Sequence, residues 1–202
     1  MWKVVYSDEL YHHGIKGQKW GVRRFQNSDG TLTAEGKRHY GKTVFVSGSS
    51  KTQSIDSGYY RKSLPKSIRD ELELTIQAQG KVLVGDAPGV DRQVQDYLNK
   101  RKYSNVTVYS PGKEARYLAN KRWENKKIDA SEFEEGSKEW LAKKDIAMAN
   151  DSQRGLAVIL DEGAKATRKN VQRLIDENKD VSVYELNKLG RKYDTWTDPH
   201  GV

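Results

Sequence analysis

The sequence predicts an α/β protein built on a doubly wound, mostly parallel sheet of about five strands, with a small basic extension at its N-terminus. Three observations predict it. From residue 43 to 186, apolar runs of four to six residues alternate with longer segments of helical period. The runs are continuous rather than alternating, as in strands buried on both faces. Several of them end in glycine or small polar residues, as a strand does when it turns into a crossover helix.

Each element follows from its residues. "KTVFVSGSS" (42–50) is a buried strand running into a loop, and the first strand is expected at the centre of the sheet. "LPKSIRDELELTIQAQG" (64–80) is a helix with Pro65 at its start, Leu64, Ile68, Leu72 and Ile76 on one face, and Gly80 as its stop. "KVLVGDAPGVDRQVQDYLNKR" (81–101) is strand, glycine turn and helix, with Val90, Val94, Tyr97 and Leu98 facing inward. "NVTVYSPG" (105–112) is a strand broken at Pro111-Gly112. Residues 113–136 are charged and carry no assignable element, with Trp123 and Phe133 as anchors. "SKEWLAKKDIAMAND" (137–151) is a helix whose expected core contacts are Trp140, Leu141, Ile146 and Met148. "GLAVILDEGAKATRKNVQRLIDENK" (155–179) repeats strand, loop and helix, and "VSVYEL" (181–186) is the last strand. Right-handed crossovers then give a Rossmann-like layer sandwich over 43–186. Residues 1–42 form the extension, and 187–202 a loose tail.

Composition narrows the function. The chain has 202 residues, 35% apolar and 32% charged, with no cysteine. Disulfides, thiolate metal sites and cysteine nucleophiles are therefore excluded. No apolar run approaches the roughly 20 residues of a membrane span. Acidic residues stand where a signal peptide would have its apolar stretch. The expectation is a soluble, cytoplasmic protein without membrane contact. The net charge of +8 is uneven, with +4 in residues 1–42, +1 in 187–202 and +3 across the rest. The body is not a basic nucleic-acid-binding domain by this test.

In an open parallel sheet, ligands bind beyond the carboxyl ends of the strands. Three strands end there in small or acidic residues. They supply Ser47, Gly48, Ser49 and Ser50; then Gly85, Asp86, Ala87, Gly89 and Asp91; then Asp161, Gly163, Lys165 and Thr167. Glycines let backbone N–H groups approach a ligand, and a helix N-terminus suits phosphate. Lys165 and Thr167 can donate to such a group, whereas Asp86 and Asp91 match ribose hydroxyls or base amines. Neither GxxxxGK(S/T) nor GxGxxG appears, which excludes a standard P-loop NTPase or dinucleotide dehydrogenase. The adjacent pair His12 and His13 points apart in any regular backbone, so neither a metal nor a cofactor is expected.

"SGSS", "VLVGDAPGVDRQVQDYL", "VTVYS", "WLAKKDIAMA" and "GLAVILDEGAKATRKNVQRL", in this order, resemble the SLOG group of Rossmann-like proteins. That group takes in DNA-processing-A-like and Lonely-Guy-like members. The likeness is greatest to uncharacterised bacterial and phage proteins, and it covers residues 43–186. It implies binding of a nucleotide or nucleotide-derived molecule at the three turns, and it makes a homodimer an expectation. Lonely-Guy phosphoribohydrolases have a catalytic Glu three residues beyond the loop Thr. Aligned on Thr167, this chain has Asn170 there, and Ala166 in place of a loop glycine. A catalytic carboxylate would then have to come from Asp145 or Asp161.

"HHGIKGQKWGVRRFQNSDGTLTAEGKRHYGK" (12–42) resembles a short module of structural and head-associated proteins of phages infecting Gram-positive bacteria. Its residues suggest a mini-fold with Trp20, Val22 and Phe25 as an apolar cluster, a turn at "NSDG", and a short helix capped by Thr33. The likeness implies a phage or prophage origin, with residues 11–42 docking to a virion or host protein. Three functions follow as expectations. The first is a binding protein that captures a signalling nucleotide as sponge or sensor. The second is a hydrolase or transferase acting on an N-glycosidic bond of a nucleotide or NAD-like substrate, and the third is a virion-associated structural protein.

Overall fold

The computed structural model describes residues 25–50, 53–54, 59–60, 64–159 and 163–185. Along them run α1 (Ala34–Tyr40), β1 (Val44–Gly48), β2 (Gln53–Ser54), β3 (Tyr59–Tyr60), α2 (Lys66–Gln77), β4 (Val82–Gly85), α3 (Val90–Lys100), β5 (Val106–Pro111), β6 (Glu124–Ile128), α4 (Lys138–Asp151), β7 (Arg154–Ile159), α5 (Lys165–Asp176) and β8 (Asp180–Glu185). Six strands form one sheet in the order β6-β5-β4-β1-β7-β8, and every neighbouring pair is parallel. β2 and β3 pair antiparallel as a separate ribbon.

The expected count of about five strands is corrected to six. The added strand is β6, inside the charged segment that carried no assignable element. Its sequence, Glu-Asn-Lys-Lys-Ile, lacks an apolar run because it lies at the sheet edge, largely exposed. Charged side chains on such an edge discourage pairing with other chains. Lys126 holds Asp151 at 2.5 Å, and the Thr107 hydroxyl donates to Glu124 at 2.7 Å.

Both faces of the sheet are covered. Val44, Val46, Val82, Val84, Val106, Val108, Leu156 and Val158 pack with Ile68 and Leu72 of α2 and with Val90, Val94 and Leu98 of α3. Phe45, Leu83, Tyr109, Ala157, Ile159, Val181 and Val183 pack with Met148 and Ala149 of α4 and Leu174 of α5. Alternate residues of one strand thus enter opposite cores, which is why the strands read as unbroken apolar runs. α4 departs from its expected pattern. Trp140 and Met148 are buried, but Ile146 is exposed. The residue on the buried stripe between Trp140 and Met148, four from each, is Lys144.

The chain steps outward from β1 through β4 and β5 to β6, then returns across β1 to β7 and β8. The direction therefore reverses between β1 and β7, and in open parallel sheets the carboxyl ends at such a reversal are where ligands bind.

At the opposite end of the sheet, Arg154 opens β7 and is 1% exposed. Its Nη1 donates to Glu71 Oε1 at 2.9 Å and its Nη2 to Thr75 Oγ1 at 2.6 Å. The Arg154 guanidinium lies 5.1 Å from the centre of the Tyr40 ring. Tyr40 belongs to α1, so the described part of the N-terminal extension packs on the body. Thr33 caps α1 by accepting from Gly36 N at 3.0 Å, as its sequence predicts. The "NSDG" turn closes with Asn27 N donating to Thr31 O at 2.8 Å, and Gly30 takes φ +82° there. Phe25 stacks on His39. His12, His13, Trp20, Val22 and the tail 187–202 lie outside the described residues. Among the described residues, no helix is long and apolar enough to cross a membrane.

Candidate functional site

The loops after β1 and β4 are seamed together. Val90 N donates to Ser49 O at 3.1 Å, and Ser49 N donates to Val158 O at 3.1 Å. Gly89 takes φ +88°, and a Cβ there would overlap the carbonyls of Ser49 and Ser50. Only glycine meets both conditions. A Cβ on Gly48 would fall on the Val90 side chain. Ser49 is buried and Ser50 exposed.

At the end of β4 two aspartates point into the protein. Asp86 is fully buried. Its Oδ2 accepts from Arg116 N and Nε, each at 3.0 Å, and its Oδ1 from Arg116 Nη2 at 2.5 Å. Asp91, in the first turn of α3, turns back and accepts from Ala87 N at 3.2 Å. Lys144 Nζ stands 3.7 Å from Asp91 and 2.8 Å from Asp145 Oδ1. A Cβ on Gly85 would overlap both Asp91 Oδ2 and Lys144 Nζ, so the glycine leaves room for this pair. Gln95 Nε2 satisfies the Gly85 carbonyl at 2.8 Å.

Asn170 of α5 ties three elements together. Its Nδ2 donates to Ser47 Oγ of β1 and to Asp145 Oδ2 of α4, each at 3.0 Å. Its Oδ1 accepts from Arg173 Nη1 at 2.7 Å, which fixes which way the amide faces. Both oxygens of Asp145 are thus held from within the protein, one by an ammonium and one by an amide.

The electrostatics follow from this crowding. Asp86, Asp91 and Asp145 all act on Arg116, and all act on Lys144 as well. Three carboxylates therefore share two cations. Burial pushes Asp91 up to about 6, Asp145 and Asp86 push the same way, and Lys144 opposes them. Burial works against the charge on Lys144, but Asp145 and Asp91 outweigh it and hold its pKa above the ordinary lysine value. The hydrogen bond from Arg116 to Asp86 raises the guanidinium in the same sense.

The third turn is described from Gly163 onward, and Asp161 lies outside the described residues. Gly163 is exposed, and Lys165 opens α5 with its side chain in solvent. Ala164 caps α5 without a side-chain hydrogen bond. The amides at this helix end are therefore left to backbone, water or a ligand. Thr167 is 2% exposed and faces inward.

The fold thus brings Gly85, Ala87, Asp86, Asp91 and Asp145 into one network, with Gly48, Ser49 and Gly89 forming its backbone seam. Lys165 lies on the same helix as Asn170, about 7.5 Å away along the axis at 1.5 Å per residue. Sequence reasoning placed Ser47 in the first turn but missed Lys144 and Arg116 as members. For Lys144 a signal existed, since a lysine on the Trp140–Met148 stripe must be buried and must find a partner. For Arg116 there was none. Among the described residues, no group of His, Cys, Asp and Glu side chains is arranged to hold a metal ion.

A family model described as a family of unknown function (DUF7211) matches residues 3–27. The match lies within the N-terminal extension and ends before α1. No curated protein and no solved structure matches the chain.

Proposed function

We propose that this chain binds a nucleotide or nucleotide-derived molecule where α4 and α5 meet beyond the carboxyl ends of β1 and β4. One observation carries the reading. Asn170 joins β1, α4 and α5 at the crossover edge, and there it holds Asp145 beside a buried lysine. Burying Asp86, Asp91 and Lys144 beside a half-buried Asp145 is costly, and packing alone would not call for it. Lys165 and the uncapped start of α5 suit a phosphate. The acidic groups suit the donors of a sugar or base. The likeness to SLOG proteins supports the same class of ligand. On this reading the protein is a phage- or prophage-encoded sponge or sensor of a signalling nucleotide. It acts in the host cytoplasm or on the virion, and residues 11–42 dock it to a virion or host protein. A homodimer fits the same likeness.

The test is mass spectrometry on purified protein incubated with mononucleotides, NAD, ADP-ribose and cyclic dinucleotides. The free pool is compared with what denaturation releases. Binding predicts one class retained and recovered intact. No retention and no consumption overturns the reading, and shifts the weight to a structural role in the virion.

A second reading has its own observation. Asn170 stands where a Lonely-Guy-type Glu would be, and the Asp145 carboxylate lies one hydrogen bond from it. A hydrolase or transferase of the N-glycosidic bond could draw its carboxylate from Asp145. Consumption of a substrate in the same experiment, abolished by Asp145→Asn, would establish that reading.

A further inference from the structure

We propose that Asp145 receives the 2′- and 3′-hydroxyls of a ribose, so that the site selects ribonucleotides over 2′-deoxyribonucleotides. This inference rests on the nucleotide reading above and names the group that discriminates.

The three carboxylates are not equally available. The Asp86 side chain is 0% exposed, Asp91 is 8% exposed and Asp145 is 16% exposed. Asp86 spends its oxygens on three donors from Arg116, and Asp91 faces Ala87 N and Lys144. Asp145 accepts one bond on each oxygen, from Lys144 on Oδ1 and from Asn170 on Oδ2. A carboxylate oxygen has two lone-pair directions, so each oxygen of Asp145 keeps one for an incoming donor.

The ligand group that meets these acceptors must be neutral and must donate twice. A phosphate would face a carboxylate in a cluster already short of positive charge. A divalent cation would compete with Lys144, which already sits against the same oxygens. Two hydroxyls on adjacent carbons present two O–H donors to the two oxygens of one carboxylate, the pairing by which an acidic residue reads ribose in dinucleotide sites. Position agrees with this chemistry. Asn170 fixes Asp145 about 7.5 Å along α5 from its first residue, at 1.5 Å rise per residue. Lys165 projects about 140° around α5 from Asn170. It is therefore a phosphate held by the amides that open α5, rather than by the Lys165 side chain, that would leave the sugar, rather than the base, at Asp145. Ser47, Asn170 and Lys144 are positioning residues, because they hold the carboxylate and do not meet the ligand.

The experiment is equilibrium binding of the four ribonucleoside 5′-monophosphates and ADP-ribose, each beside its 2′-deoxy counterpart, to the full chain and to Asp145→Asn. Asp145→Ser is a second variant, and circular dichroism checks that both fold. The wild type should bind the ribo form about tenfold to a hundredfold more tightly, the worth of a hydrogen bond to a charged acceptor. In both variants the ratio should fall to within about threefold, the residue of one lost charged hydrogen bond. Equal binding of ribo and deoxy forms by the wild type overturns the inference and leaves nucleotide binding standing. An undiminished ratio in the variants removes Asp145 from the role. A preference for GMP indifferent to the 2′-hydroxyl would make Asp145 a reader of the guanine edge, and also overturns it. Binding of none of these probes overturns both this inference and the reading it rests on.

Discussion

Two charge clusters, one buried and one partly open, lie at opposite ends of the same sheet, and they are built differently. At the amino end, one cation and one carboxylate face each other, Arg154 and Glu71. Thr75 accepts a second bond from the guanidinium, and the Tyr40 ring covers it. At the carboxyl end, three carboxylates share two cations, and the most exposed of the three is Asp145. The first cluster is balanced and closed by elements distant in sequence. The second is unbalanced and partly open. A balanced closed pair fastens the N-terminal helix and α2 to β7, whereas an unbalanced, partly open one is kept at a cost to stability and, on the proposed reading, receives an outside donor.

Breaking the closed pair should have the largest effect. Glu71→Ala leaves the Arg154 charge buried without its carboxylate, an expected loss of about 3–5 kcal/mol. At roughly 2–4 °C per kcal/mol for a chain of this size, the melting temperature should fall on the order of 10 °C. Ligand retention, measured well below that temperature, should not change.

The next effect sharpens the contrast through pH. Burial raises Asp91 from 3.8 to about 6, so the folded state holds that proton more tightly than the unfolded chain. Its contribution to stability is complete below pH 4 and is lost as pH rises through about 6. Burial sets this shift, Asp145 and Asp86 add to it, and Lys144 and the Ala87 amide oppose it, with Arg116 facing the same cluster. Between pH 4 and 7 the wild type should lose roughly 2 kcal/mol more unfolding free energy than Asp91→Asn, at 1.36 kcal/mol per pKa unit, the unfolded carboxylate being already more than half ionised at pH 4. Urea titrations at the two pH values measure the difference, and parallel slopes would remove Asp91 from the account.

Gly85→Ala places a methyl against Asp91 Oδ2 and Lys144 Nζ. It should cost about 1–3 kcal/mol by overpacking. It should also weaken nucleotide binding, because Lys144 can no longer hold Asp145. A loss of similar size, but with no effect on binding, is expected from Tyr40→Phe, which removes the hydroxyl's bond to Glu71. That should cost about 1.5–3 kcal/mol, the worth of a hydrogen bond to a charged group, and less if water replaces it. Chemical denaturation reads it, and binding should be untouched.

Much of this was legible beforehand, for physical reasons. Strands buried on both faces must be apolar throughout, so β1, β4, β5, β7 and β8 stood out. The glycines of the second turn were visible because Gly89 needs a positive φ and Gly85 needs an empty Cβ position. β6 was hidden because an edge strand needs no apolar run. The side-chain network was hidden for another reason: its members are brought together only by the folded sheet. Asp86 meets an arginine from a segment without pattern, and Asn170 meets a serine on the first strand. Ile146 was assigned inward on hydropathy alone, but the helix stripe gives that place to Lys144.

The central claim is that charge at the carboxyl edge serves a ligand and charge at the amino edge serves the fold. Thermal unfolding of Asp145→Asn, with and without the ribonucleotide that the wild type retains, tests it most directly. An amide can accept from Lys144 or from Asn170 but not from both, so the unliganded melting temperature should fall, though by less than in Glu71→Ala. The upward shift produced by the nucleotide in the wild type should disappear. A melting temperature that falls as far as in Glu71→Ala, with the nucleotide shift intact, would contradict the claim and make Asp145 a structural residue like Glu71.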